Sequence, residues 1–244
     1  MTVKVSAEEL LDAGAHFGHQ TKRWNPKMEE YLYGNESGVH IFDLTKTKVL
    51  LEEALEFLSK SIKEGKGVLI LGTKKQIKDK VKAVAEEVGV PYVNERWLGG
   101  TISNFPQMKK SLKKLEEMKT NVVSGFYNKY TKKERLLIDR EITRLERFFG
   151  GIKSLENTPD VLFVIDTKRE FGAVREANVK KVPVVGIVDS NSDPDMVDYP
   201  IPMNDDASKA LEYVLELVKK AILEGKGKKS ASLGGKNEKP KTKG

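Results

Sequence analysis

Arg96-Trp97-Leu98-Gly99-Gly100-Thr101-Ile102-Ser103-Asn104-Phe105 divides the 244-residue chain into parts of different pattern. Upstream, apolar runs alternate with amphipathic segments; downstream comes a long charged helical stretch, after which the alternation resumes. The ten residues therefore read as the exit from an α/β body into an inserted helical arm. Gly99-Gly100 opens backbone angles closed to other residues and allows close approach. Arg96 and Trp97 place a planar cation beside a flat apolar face, a pairing suited to phosphates and bases. The same residues also fit a plain turn with Trp97 packed inside.

The body is read from its punctuation. Ser6-Ala7-Glu8-Glu9 has the form of a capping box, with Ser6 accepting from the Glu9 amide and Glu9 reaching back. The helix it opens ends near Gly14. Gly14 to His19 is expected to be a packed turn. Lys22, Arg23, Trp24, Asn25, Pro26 and Lys27 form a basic, aromatic loop. Tyr31-Leu32-Tyr33 and Val39-His40-Ile41-Phe42 pair as a hairpin across Gly34–Gly38. Asp43 opens a helix to about Glu64. Val68-Leu69-Ile70-Leu71, Val161-Leu162-Phe163-Val164-Ile165 and Val182–Val188 are continuous apolar runs, the signature of strands covered on both faces. Val90–Val93 and Ile201-Pro202 are shorter extended pieces. Thr73 is expected to cap a helix whose first turns hold Lys74, Lys75, Lys78, Lys80 and Lys82, a concentration of cations that favours an anionic partner. Asp166-Thr167 and Asn204-Asp205-Asp206 are expected to cap the helices that follow them. The alternation implies a doubly wound, mainly parallel sheet, flavodoxin- or Rossmann-like, with its ligand crevice at the strand C-terminal ends.

From Pro106 to Phe149, Met108, Leu112, Leu115 and Met118 form one stripe and Leu137, Ile142, Leu145 and Phe148 another. Residues 120–130 turn the chain between them. This predicts a protruding antiparallel coiled-coil hairpin with a narrow seam. Its outer faces carry Lys109, Lys110, Lys113, Lys114 and Lys119, then Lys129, Lys132, Lys133, Arg135, Arg140, Arg144 and Arg147, interspersed with acids. Three units follow: an α/β domain from 1–105 and 150–224, the hairpin from 106–149, and a tail from 225–244 that is expected to be disordered.

Charge supports that division. The chain is +7, but 225–244 holds seven lysines against the single acid Glu238, leaving the rest at +1. A near-neutral body binds a polyanion only through local patches. The absence of cysteine excludes disulfides and thiolate chemistry and fits a reducing cytosol. No run approaches a membrane span, and the first residues lack a signal-peptide core. No G-x-G-x-x-G, Walker-type or G-x-S-x-G motif is present. One constellation fits an enzyme or a metal: Asp166, Asp189 and Asp193 at strand ends, with Asp205 near and His19 folded over them. The same aspartates also serve as caps and turn formers.

Four stretches, in order, carry a resemblance. They are Gly18-His19 leading to Trp24-Asn25-Pro26-Lys27-Met28; Arg96-Trp97-Leu98-Gly99-Gly100; Gly186-Ile187-Val188-Asp189-Ser190-Asn191-Ser192-Asp193-Pro194; and Ile201-Pro202 with Asn204-Asp205-Asp206-Ala207. Together they resemble the bacterial form of the ribosomal protein S-two family, over about residues 5 to 224. Ser190 stands where threonine is common, and Ile102-Ser103 where Leu-Thr is common. The resemblance implies a structural, non-enzymatic constituent of the small ribosomal subunit, working in the cytoplasm within the ribosome. It implies contact with small-subunit ribosomal RNA between head and body, and docking of neighbouring ribosomal proteins, including the large first protein of that subunit where present. It implies no cofactor, no membrane and no small-molecule substrate. The RNA-facing candidates are Lys22, Arg23, Trp24, Asn25, Lys27, Lys74, Lys75, Arg96, Trp97, Lys109, Lys110, Lys113, Lys132, Lys133, Arg140 and Arg144. The residues themselves leave open a divalent metal at His19, Asp189 and Asp205.

Overall fold

Every residue of β4 (Val68–Leu71), β6 (Val161–Val164) and β7 (Val184–Val188) is buried. Alternate side chains point to opposite faces of a strand, so an unbroken apolar run demands cover on both. The computed structural model, which describes residues 3–227, supplies it. Val68 and Ile70, with Phe163 and Ile187, face a cluster built with α2 (Leu44–Lys63), α3 (Lys78–Val88) and α7 (Ser208–Gly225). Leu69 and Leu71, with Leu162 and Val164, face a second cluster that includes α6 (Phe171–Val179).

With β5 (Tyr92–Val93) and β8 (Tyr199–Pro202) the strands form one parallel sheet in the order β5-β4-β6-β7-β8. The chain winds outward in both directions from β4 and β6, and their C-terminal ends flank the crevice where ligands of such sheets bind.

A second, antiparallel sheet is built from β1 (Phe17–Gln20), β2 (Leu32–Glu36) and β3 (Val39–Phe42), in the order β1-β3-β2. The expected hairpin is β2-β3. The strand β1 corrects the reading of Gly14 to His19 as only a turn. Four residues containing Gly18 carry no alternation to detect; their pairing with β3 is a tertiary matter.

Caps follow the sequence where the partner is local. Asp43 accepts from Thr45 N–H at 3.0 Å and opens α2. Ser6 accepts from Glu9 N–H at 3.3 Å and opens α1 (Ala7–Asp12). The reciprocal half of that box is replaced: Ser6 N–H donates to Tyr213 Oη at 3.1 Å. Three other caps are overturned. Ile77, not Thr73, precedes α3; Glu170 precedes α6; and Ala207 precedes α7 with no side-chain cap. Thr73, Asp166 and Asp205 are instead engaged across the ends of the sheet strands.

The segment between β5 and β6 holds α4 (Phe105–Val123) and α5 (Lys132–Phe149). Phe105, Met108, Leu112 and Leu115 on α4 and Leu145 and Phe149 on α5 are buried in the same cluster as one face of the sheet. The opposite ends are open: Val122, Val123, Phe126, Leu136 and Leu137 are exposed. Leu137 therefore leaves the predicted stripe. Gly125, at φ +73°, makes the turn after α4, and Thr131 and Glu134 form a reciprocal capping box that starts α5. Where α5 rejoins the body, Gly151 lies so close against β5 that a Cβ would collide with the Tyr92 carbonyl oxygen.

α7 runs to Gly225, and Lys226 Nζ donates to the carbonyls of Val88 and Gly89 at 2.7 and 3.0 Å. The start expected for the tail is thus part of the body, and 228–244 lie outside the described residues.

Candidate functional site

The crevice is occupied by the chain's own charged groups, a lysine and a histidine among four aspartates. Lys74, in the loop after β4, points inward. Its ammonium lies 3.0 Å from Asp166, 2.7 Å from Asp205 and 2.8 Å from Asp206, and it also donates to the Asp205 carbonyl at 2.8 Å. Burial opposes its charge, but Asp205, Asp206 and Asp166 raise its pKa above the ordinary lysine value. Lys74, expected to face an anionic partner at the start of a helix, is instead turned onto the chain's own aspartates. Lys75 alone of the pair is exposed.

Asp189, just after β7, is wholly buried. One oxygen accepts from Ser190 N–H and hydroxyl at 2.5 and 2.9 Å, and lies 2.9 Å from His19 Nδ1; the other accepts from Asp205 N–H at 3.1 Å. Asp189 and Asp166 both press on Asp205: burial first, then these two charges, pushes the Asp205 pKa up to about 8, against the pull of Lys74. The contact with Asp189 raises the His19 pKa in spite of partial burial. Asp166 takes φ +65°, a left-handed angle uncommon outside glycine, and accepts from Arg169 N–H at 2.8 Å. Thr73, freed from α3, donates to Glu170 and accepts from Arg169 Nε at 3.0 Å.

The metal candidates divide accordingly. His19, Asp205 and Asp206 each offer a ligand atom within 4.8 Å of the others. Asp189 is not in that set; its oxygens accept from Ser190, His19 and Asp205 instead. Asp206 takes its place. The Lys74 ammonium already contacts two of the carboxylates, so a divalent ion would compete with an internal cation. Asp193, expected in the crevice, is instead bound with Asp195 to Lys27, at 2.9 and 2.6 Å.

The opening stretch encloses a carboxylate that sequence reasoning missed. Glu176 on α6 accepts from the Trp97 indole at 3.0 Å and from the amides of Gly100, Ile102 and Ser103 at 3.2, 2.8 and 2.6 Å. Burial works against its charge, yet the donors from Ser103, Trp97 and Ile102 hold its pKa below the usual carboxylate range. Successive amides turned onto one anion make a nest. The signal was faint: an acid three residues after Ala173, at the edge of the buried stripe of α6. Trp97 is thus packed and hydrogen-bonded, in agreement with the plain-turn alternative. Arg96 is exposed at the same bend, and it forms no ion pair with another described residue. A second acid, Glu95, joins body to arm. It meets Lys78 at 2.9 Å and Arg147 at 2.6 Å, and both hold its pKa down.

Elsewhere the loop candidates separate. Lys22 and Arg23 are exposed, whereas Trp24 is half-buried with its ring 4.8 Å from that of His40. Asn25 caps the short 3-10 helix at Pro26–Tyr31 by accepting from Lys27 N–H at 3.1 Å.

On the arm, several cations close internal ion pairs. Lys114 and Arg144 share Glu141, at 3.2 and 2.8 Å, and with Arg144 first they push its pKa down to about 2. Lys119 and Lys153 share Glu146, and Lys113 is 3.8 Å from Glu117. Lys109 lies over the Phe105 ring at 5.6 Å. Lys110, Lys132, Lys133, Arg135 and Arg140 are exposed, with no ion pair to another described residue.

The family described as Ribosomal protein S2 matches residues 10–225. Among curated relatives, the small ribosomal subunit protein uS2 of Dictyoglomus thermophilum is 47% identical over 90% of this chain and 89% of its own length. That of Coprothermobacter proteolyticus is 45% identical over 91% of this chain and 83% of its own. That of Mycobacteroides abscessus is 44% identical over 97% of this chain and 85% of its own.

Proposed function

The chain belongs to the ribosomal protein S2 family, and we propose from that premise that it is a structural component of the small ribosomal subunit rather than an enzyme. Its partners are small-subunit ribosomal RNA, met between head and body, and neighbouring small-subunit proteins, including the large first protein where one is present. It acts in the cytoplasm, inside the ribosome. The 106–149 segment serves as an arm on an α/β body that spans the rest of the chain up to residue 224.

The observation that carries the RNA reading is which of the candidate cations remain open once internal ion pairs are taken out. Lys22, Arg23, Lys75, Lys110, Lys132, Lys133 and Arg140 are exposed without an acidic partner among the described residues, and Arg96 likewise has none. Lys109, turned over a ring, is also open to phosphate. Lys27, Lys113 and Arg144 already hold carboxylates and contribute less. Lys74, Trp97, Trp24 and Asn25 build the surface without facing out from it. Phosphate contacts of this kind release counterions, so affinity falls as salt rises, and RNA is recognised through shape more than base identity.

The test is a binding series of the full chain on small-subunit ribosomal RNA at increasing salt. Log affinity should fall linearly with log salt; a flat line rejects phosphate-driven binding. Deleting 106–149 distinguishes the arm's role. If RNA binding persists while subunit incorporation fails, the arm serves protein docking.

A further inference from the structure

We propose that the far end of the arm, from Val122 to Leu137, is a stacking platform for unpaired RNA bases; this rests on the RNA reading above. Three rings gather there. Phe126 and Tyr127 have centroids 5.6 Å apart, Tyr127 and Tyr130 5.5 Å, and Phe126 and Tyr130 6.4 Å. Phe126 is 47% exposed and Val123 88%. Leu136 and Leu137, in the first half of α5, are also exposed.

Lys114, Lys119, Arg144 and Arg147 hold acids along the two helices, whereas Lys109 and Lys110, on the first turns of α4, hold none among the described residues. At the far end, Lys132, Lys133 and Arg135 hold none among the described residues. The acid closest in sequence, Glu134, is already engaged: its carboxylate accepts from Thr131 N–H and hydroxyl, both at 2.9 Å, in the capping box. Apolar rings alone would suit a protein. Rings bordered by unpaired cations suit a polyanion that also presents flat apolar faces, and unpaired RNA does both. A duplex hides its base faces and leaves the rings without a partner. Lys129 fits the same use. Its ammonium lies 4.1 Å from the Phe126 centroid and 5.9 Å from that of Tyr130, so a phosphate that engages it uncovers the ring for a base.

The experiment compares the full chain on a short unpaired oligoribonucleotide and on an RNA duplex of the same length. The Phe126→Ala/Tyr130→Ala variant should weaken binding to the unpaired probe by about tenfold or more and leave duplex binding unchanged. Phe126→Leu, which keeps apolar bulk in the helical turn, should also lose affinity for the unpaired probe, and this separates stacking from local unfolding. Ring variants that change neither probe, or both equally, overturn the platform. So does loss of subunit incorporation with RNA binding intact, which would make the end a protein contact. A wild-type chain that binds neither probe and also gives no binding to ribosomal RNA defeats the broader reading as well.

Discussion

In the crevice at the ends of β4 and β6, one lysine meets three aspartates; at the far end of the arm, two lysines and an arginine meet none. Both places look basic or mixed in sequence, and both hold lysine beside helical pattern. The difference is whether the fold supplies a counter-charge. Lys74 is 8% exposed and its charge is consumed in holding the sheet's ends together. Lys132 and Lys133 cost the fold nothing to leave in water, so their field remains for a partner. Counting cations therefore overstates the charge left open to a partner; counting those without an acid among the described residues gives a smaller set.

The largest expected consequence is in the crevice. Lys74→Met leaves Asp166, Asp205 and Asp206 without their shared cation, and loss of a buried partner costs about 3–5 kcal/mol. Urea denaturation measures it, and an unchanged midpoint would mean that the aspartates neutralise themselves by taking up protons. Next comes the junction between body and arm. Glu176→Ala strands an indole N–H and three amides, at about 1–3 kcal/mol, whereas Glu176→Gln should recover part of the loss; denaturation of the two variants side by side checks this. Gly151→Ala should cost about 1–3 kcal/mol by forcing β5 and the end of α5 apart, read by the same method.

A smaller effect is pH dependence. The Asp205 and His19 pKa values are both raised in the folded chain. Each contributes stability that is full below its ordinary value and is lost as pH rises through the folded pKa. For Asp205 that window runs from 3.8 to about 8, and His19 adds to it above 6.5. Groups held low, such as Asp206 and Glu176, act in the opposite sense, but only below their ordinary values of 3.8 and 4.5. Once ordinary carboxylates have titrated, stability should therefore fall as pH rises to about 8. Denaturation midpoints across that window check it, and Asp205→Asn should flatten the slope. Smallest of all is the stability change at the arm's end: Lys132→Gln/Lys133→Gln should alter stability by less than ~0.5 kcal/mol. The same variant should reduce the salt slope of RNA binding by about 0.7–0.9 for each phosphate no longer neutralised. A stability loss comparable to that of Lys74→Met would erase the contrast between the two regions.

What could be read locally follows the range of each interaction. Asp43 is two residues from the amide it accepts and Thr131 three from its partner, so helix starts of that kind are visible in the chain itself. Thr73 has an equally good capping composition, but its hydroxyl goes to Glu170, 97 residues away. Lys74 meets Asp205 across 131 residues, and nothing in its neighbourhood distinguishes it from exposed Lys75. Glu176 is nearly invisible as an anchor, because the amides that it gathers have no side-chain signature.

Linear order was enough for the strand cores, the winding of the sheet, the place of the inserted helices and the family. These depend on runs and periods of apolar residues, which act over a few positions and repeat along the chain. It took the folded chain to establish which charges are used up inside, that Trp97 faces Glu176, and that His19 joins Asp189 through a strand too short to announce itself. Those outcomes depend on which distant side chains the sheet brings within hydrogen-bond reach, and spacing along the chain does not encode that distance.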